Sequence, residues 1–146
     1  MNKAEDSLKP VESRYLCSEE KCDIAYNTAI TQKPVLDELE KDSFSLYVSV
    51  PFCPTRCSYC SFVSQSIEGC MKLIPEYVNK LCEEIVYTAK ITEKLGLKLD
   101  TVYFGGGTPT TLTAAQLDRV MKVIENSFDM STVREYTVGK REDLTP

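Results

Sequence analysis

The chain has 146 residues, 42% of them hydrophobic and 27% charged, enough for one globular core and too apolar for a disordered segment. Its net charge of -5 disfavours a phosphate-binding surface and hence nucleic acid as a partner, and the lack of any histidine removes Ser-His and Cys-His catalysis, HExxH zinc sites and His-ligated haem from these residues. The start, MNKAEDSLKPVESRY, has no apolar run of a secretory signal, no stretch approaches the roughly 20 apolar residues of a membrane span, and seven cysteines then point to a reducing, cytoplasmic compartment where thiols are ligands, nucleophiles or core filler.

Residues 1–43 are polar and weakly patterned, and are set apart as an amino-terminal segment. The stretch from Ser18 through CDIAYNTAIT predicts a helix, and Pro34 to Leu39 a separate short turn of another. The remaining residues, 44–146, are patterned as alternating strands and helices. Ser45–Val50 alternates apolar with mixed residues and is stopped by Pro51, which predicts a strand with a sharp exit. Residues 51–70 read as a long loop holding four of the cysteines, a length that marks loops with a function of their own.

Leu73 to Leu95 carries Tyr77, Val78, Leu81, Cys82, Ile85, Val86 and Ala89 on one helical stripe, with Pro75 in the first turn and Gly96 at the end. Cys82 therefore reads as core. Leu99–Phe104 is a short apolar run cut off by Gly105-Gly106-Gly107, which predicts a buried strand. Thr113-x-x-Gln116 is a capping box opening a second helix with Leu117, Val120, Met121, Ile124 and Phe128 on one face. Val133–Val138 alternates again as a third strand. Two βα units plus a strand predict a parallel α/β sheet or barrel, whose ligands collect at the carboxyl ends of the strands. The cysteine loop and the triple-glycine loop both follow strand ends and should face the same side.

Cys53-Pro54-Thr55-Arg56-Cys57-Ser58-Tyr59-Cys60 has the spacing C-x3-C-x2-C. Three thiolates this close can converge on one soft metal centre, zinc or an iron–sulfur cluster. A structural zinc needs four ligands, and Cys70 is the nearest spare thiol. Three ligands on a cubane leave one iron open for something else. Phe52, Tyr59 and Phe62 would form an apolar shell around such a cluster. In the second loop, Gly105, Gly106 and Gly107 would let the backbone approach a ligand, with their N–H groups and the Thr108 hydroxyl as donors to a small anionic or amino-acid-like group. Arg56 and Lys72 read as solvated surface, and Cys17 and Cys22 carry no assignment.

The pair LYVSVPFCPTRCSYCSF and DTVYFGGGTPTTL resembles the radical S-adenosylmethionine superfamily, and within it the oxygen-independent coproporphyrinogen III oxidase (dehydrogenase) group, over about residues 44–138. The resemblance implies the amino-terminal part of a partial (β/α)6 barrel with parallel strands, incomplete in this chain. It implies a [4Fe–4S] cluster on Cys53, Cys57 and Cys60, with S-adenosylmethionine on the open iron and cleaved to methionine and a 5′-deoxyadenosyl radical. In that group the radical starts oxidative decarboxylation of propionates of coproporphyrinogen III, a tetrapyrrole, to vinyl groups in haem biosynthesis; the electron donor stays unnamed. Tyr47 and Gly106 would contact the cluster-bound S-adenosylmethionine, and Tyr59, Gly107 and Thr108 a second one, with Gly105 and Phe62 adjoining them; no catalytic side chain is assigned beyond the cluster.

Ser49 stands where well-known members carry a histidine, Phe62 where the biosynthetic branch has a further cysteine, and Gly139 where an acid usually helps hold S-adenosylmethionine, with Lys140-Arg141-Glu142-Asp143 following. Such a chain is expected to be an amino-terminal fragment of an enzyme, inactive alone. A radical enzyme on another substrate, a haem-binding or haem-delivery protein with the same core, and a small zinc module using Cys70 are the alternatives.

Overall fold

The computed structural model describes residues 15–55, 57–62 and 65–139, so Arg56 and Lys140-Arg141-Glu142-Asp143 lie outside the described residues. The chain divides into two units, Met1–Lys41 and Asp42–Pro146. In the first, α1 (Glu19–Asp37) is capped by Ser18, whose side chain accepts from the Lys21 N–H, and acids occupy its first turn. The sequence suggested two separate pieces here. They form one helix with Pro34 inside it, because a proline in the last turn forfeits a single hydrogen bond, to the carbonyl of Ile30, a residue that is 50% exposed.

The second unit is built on three parallel strands in the order β1–β2–β3: β1 (Ser43–Val50), β2 (Lys98–Gly106) and β3 (Glu135–Val138). Helix α2 (Ile74–Lys94) connects the first two strands and α3 (Ala114–Ser127) the second and third. Proline in the first turn opens α2, and Gly96, at φ +67°, closes it in the left-handed conformation that glycine adopts without strain. The predicted capping box opens α3: Thr113 Oγ1 accepts from the Gln116 N–H at 3.3 Å, and Gln116 Oε1 accepts from the Thr113 N–H at 2.9 Å.

Alternation divides the sheet into two faces of different chemistry. Val48, Val50, Val102 and Phe104 point to one side, where they pack with Val78, Leu81, Ile85, Val120 and Ile124 of the helices into one buried cluster. On the other side lie Ser45, Tyr47, Ser49, Thr101 and Tyr103, paired Ser45↔Thr101 and Tyr47↔Tyr103. Leu99–Phe104 is thus half-buried rather than the fully buried strand expected from its apolar run: Phe104 is 0% exposed and Tyr103 44%. The strand also runs longer, because Gly105 and Gly106 still pair with Ser49 and Val50. Cys82 sits in the buried cluster, as its place on the helical stripe required.

One ion pair ties β2 to the segment before β3. Arg134 Nε and Nη2 donate to the Asp100 carboxylate at 2.6 and 2.9 Å, and these hydrogen bonds hold the Asp100 carboxyl below its ordinary value of 3.8. A carboxyl lowered on folding contributes stability above its unfolded pKa and loses it as pH falls through the lower, folded value. Arg134→Leu is therefore expected to lower the urea midpoint at neutral pH and to shrink the loss of stability on acidification below about pH 4. Equal pH profiles for the two proteins would show the pair to be inert.

Candidate functional site

The carboxyl ends of β1 and β2 emerge side by side, with Val50 opposite Gly106. Two further hydrogen bonds continue the pairing beyond the sheet: the Gly107 N–H donates to the Val50 carbonyl and the Thr108 N–H to the Phe52 carbonyl, both at 2.8 Å. The first cysteine is thereby fastened to the glycine loop by main-chain geometry. Phe52–Cys53 also pairs in parallel with Gln65–Ser66, and the Gln65 N–H donates to the Pro51 carbonyl at 2.8 Å, so the cysteine loop is closed at its base. Below it, Phe52 is 5% exposed and meets Tyr77 edge-on at 5.1 Å, and the Tyr77 hydroxyl donates to the Ser49 carbonyl. Burial pushes the Tyr77 phenol up, with Glu84 adding to it, so it remains a donor.

A cavity of about 450 Å³ opens between the two loops. Cys53, Cys57, Cys60, Tyr59 and Phe62 line it from the cysteine loop, Gly105, Gly106, Gly107 and Thr108 from the glycine loop, and Tyr47 from β1. The structure thus brings every candidate site residue to one place, on the same side of the sheet. Cys70 does not line this cavity; it packs against the hydrophobic cluster. Among the described residues no three Cys, Asp or Glu side chains are close enough to enclose one metal ion. The donor set is soft sulfur, with no carboxylate lining the cavity among the described residues, which suits iron–sulfur chemistry.

Three details differ from expectation. Phe52 belongs to the core rather than to a shell around the cysteines, because its neighbour Cys53 takes the outward side of the extended chain. Tyr59 and Phe62 are 78% and 61% exposed, so they line the cavity without sealing it. The Gly107 N–H, expected to face a ligand, is already committed to the Val50 carbonyl of β1, and the Thr108 hydroxyl, expected as a further donor to that ligand, donates to Cys53 Sγ.

The glycines are set by the protein's own packing. A Cβ at Gly105 would come within 2.6 Å of Tyr103 Cε1 and 2.7 Å of the Tyr47 hydroxyl, and one at Gly107 within 2.6 Å of the Phe52 carbonyl oxygen and 2.8 Å of Cys53 Sγ. Gly106 has φ +97°, and a Cβ there would stand 2.7 Å from Ser49 Oγ and 3.0 Å from the Val50 main chain. Gly106→Val is accordingly expected to cost about 2–5 kcal/mol of stability, from backbone strain plus overpacking. Urea unfolding measures it, and an unchanged midpoint would mean that the junction yields.

Tyr103 and Gly139 also line the cavity and were not singled out as ligands in the sequence. Tyr103 stacks on Tyr47 with ring centroids 5.7 Å apart. Its signal was period two: it is the outward residue between Val102 and Phe104. The Gly139 N–H donates to the Phe104 carbonyl at 2.8 Å, so the position where an acid was expected does face the cavity, with no side chain to offer.

A family model described as the radical SAM superfamily matches residues 47–142. The chain is 33% identical over 136 residues to the oxygen-independent coproporphyrinogen-III oxidase-like protein HemZ of Bacillus subtilis, covering 90% of this chain and 27% of that protein. It is 37% identical to the heme chaperone HemW of Lactococcus lactis, over 64% of this chain and 23% of that protein. The solved structure of coproporphyrinogen III oxidase (HemN) from Escherichia coli, described as a radical SAM enzyme, superposes with a TM-score of 0.57 at 32% identity, covering 68% of this chain and 22% of the other. The chain spans about a quarter of the length of the curated relatives it matches. No helix among the described residues is long and apolar enough to cross a membrane.

Proposed function

The chain belongs to the radical SAM superfamily, and from that premise we propose that Cys53, Cys57 and Cys60 hold a [4Fe–4S] cluster, with S-adenosylmethionine received beside it by Tyr47, Tyr59, Phe62 and the segment Gly105 to Thr108. The convergence of the cysteine and glycine loops on one cavity at the carboxyl ends of β1 and β2 carries this reading. Three thiolates leave one coordination position for a small ligand, as a catalytic metal site requires. When bound, the cluster supplies the single electron that cleaves the sulfonium of S-adenosylmethionine.

This chain's own residues supply position. The β1–β2 ladder, extended through Gly107 and Thr108, fixes where Cys53 stands. Gly105 and Gly106 give a floor without side chains, and the Tyr47–Tyr103 stack borders it with apolar surface. The proposed setting is the reducing cytoplasm, where these thiols stay free to bind iron.

The proposed substrate is a tetrapyrrole, with oxidative decarboxylation of coproporphyrinogen III propionates as the first reading. The relative from E. coli named oxygen-independent coproporphyrinogen III oxidase, 33% identical over 101 residues, supports it. Haem handling is the second reading, favoured by the relatives named heme chaperone. The place of Cys70 against the core speaks against a zinc module.

Anaerobic reconstitution tests the cluster assignment. About four irons per chain with a broad visible charge-transfer absorbance that air bleaches are expected. Stoichiometric zinc without that absorbance would overturn it.

A further inference from the structure

Thr108 is 5% exposed, and its hydroxyl donates to Cys53 Sγ at 3.6 Å. We propose that this hydrogen bond makes Thr108 a positioning residue that fixes the Cys53 sulfur and raises the reduction potential of the cluster assigned to Cys53, Cys57 and Cys60; the inference rests on that assignment.

The hydroxyl is aimed by its surroundings. The Thr108 N–H donates to the Phe52 carbonyl at 2.8 Å, and the Thr108 carbonyl accepts from the Thr111 N–H at 2.9 Å and the Thr111 hydroxyl at 2.7 Å. Both main-chain polar groups of Thr108 are thus engaged, which fixes the direction of its Cα–Cβ bond toward the cysteine loop. The sulfur is held from its own side by the pairing of Phe52–Cys53 with Gln65–Ser66. Gly107 completes the contact: a Cβ there would lie 2.8 Å from Cys53 Sγ, so only glycine lets the next residue come this close. Cys57 and Cys60 follow in irregular chain, where the Cys60 N–H donates to the Cys57 carbonyl at 3.1 Å. Cys53 is therefore the preorganised ligand of the three.

The electrostatic consequence has a definite sign. Reduction adds one negative charge to the cluster, and part of it resides on the ligand sulfurs. A hydroxyl dipole with its positive end on one of those sulfurs stabilises the reduced state more than the oxidised one. Thr108 itself is 5% exposed, so little water competes for its hydroxyl. Removing the donor should make the cluster harder to reduce without taking away a ligand.

The test compares the reconstituted 146-residue chain with Thr108→Val, which keeps the shape and deletes the donor, and Thr108→Ser, which keeps the donor. Iron content is measured first, then the midpoint potential, by a dithionite titration with redox mediators followed by electron paramagnetic resonance. Iron is expected to be equal in all three. Thr108→Val should show about a tenfold lower ratio of reduced to oxidised cluster at a fixed poise, about 59 mV for a one-electron couple, with Thr108→Ser close to the parent. Loss of iron in Thr108→Val but not in Thr108→Ser would uphold the positioning role through the hydroxyl. An unchanged potential in Thr108→Val at full iron, or equal shifts in both variants, overturns the proposal. Thr108→Ala replaces Thr108→Val if the latter misfolds. An iron-free parent would instead overturn the cluster assignment, a result distinct from either.

Discussion

Cys57→Ser is expected to leave the reconstituted chain almost without iron, against about four irons in the parent, while Cys82→Ser and Cys70→Ser retain the full complement. The contrast follows from where each sulfur stands. Cys57 is partly exposed in a loop and lines the cavity with Cys53 and Cys60, where its sulfur can reach a metal. A serine hydroxyl at that place is a hard, protonated oxygen and a poor substitute for a soft ligand. Cys82 is 7% exposed on the inner stripe of α2, and burial pushes its thiol up, so it stays protonated and behaves as a small apolar side chain. Cys70 packs against the cluster of buried residues and does not reach the cavity lining. Iron analysis on the four proteins, prepared side by side, gives the answer. Full iron in Cys57→Ser would mean that the C-x3-C-x2-C spacing is not the ligand set.

Much of this architecture was legible in the residues. Helix α2 announced itself by a long apolar stripe between Pro75 and Gly96, and α3 by its capping box, because both signals are local and the packing agrees with them. The convergence of the two loops followed from topology alone, since parallel strands put their carboxyl ends on one side. What escaped was long-range or one-sided. The apolar run Leu99–Phe104 suggested burial on both faces, yet the face bearing Tyr103 is open, and a short run does not reveal which face is covered. The use of the Gly107 and Thr108 N–H groups by Val50 and Phe52 depends on the register between segments about 56 residues apart, which spacing does not encode. The same register creates the Thr108–Cys53 contact. The glycines were expected to make room for a ligand; three tight approaches within the protein itself account for them first.

Residues 1–146 on their own are expected to produce no 5′-deoxyadenosine above background with dithionite and S-adenosylmethionine, even when carrying a full cluster. A reductive cleavage that generates a reactive species needs a site from which water is excluded, so that the species meets its intended partner first. Here the cavity is bordered by Tyr59 and Phe62 at 78% and 61% exposure, and the sheet face beside it presents Tyr47 and Tyr103 at 54% and 44%. Among the described residues β3 pairs only with β2, leaving its other edge without a strand and the polar face of the sheet without a cover. Gly139 offers no carboxylate where the resemblance leads one to expect an acid, and the matched relatives are about three times as long as this chain. In the proposed site iron would be held by one loop and its staple to β2, while the open cavity would leave a bound nucleoside in contact with water. Fusing residues 1–146 to the remainder of the B. subtilis relative, beyond the matched part, should therefore bring cleavage to a level far above background, and Cys57→Ser in that fusion should return it to background. The fusion also separates the two readings of the substrate: 5′-deoxyadenosine formation that depends on coproporphyrinogen III speaks for decarboxylation, and stoichiometric haem binding without it for haem handling. Sustained cleavage by residues 1–146 alone would show that two βα units and three cysteines already enclose the chemistry.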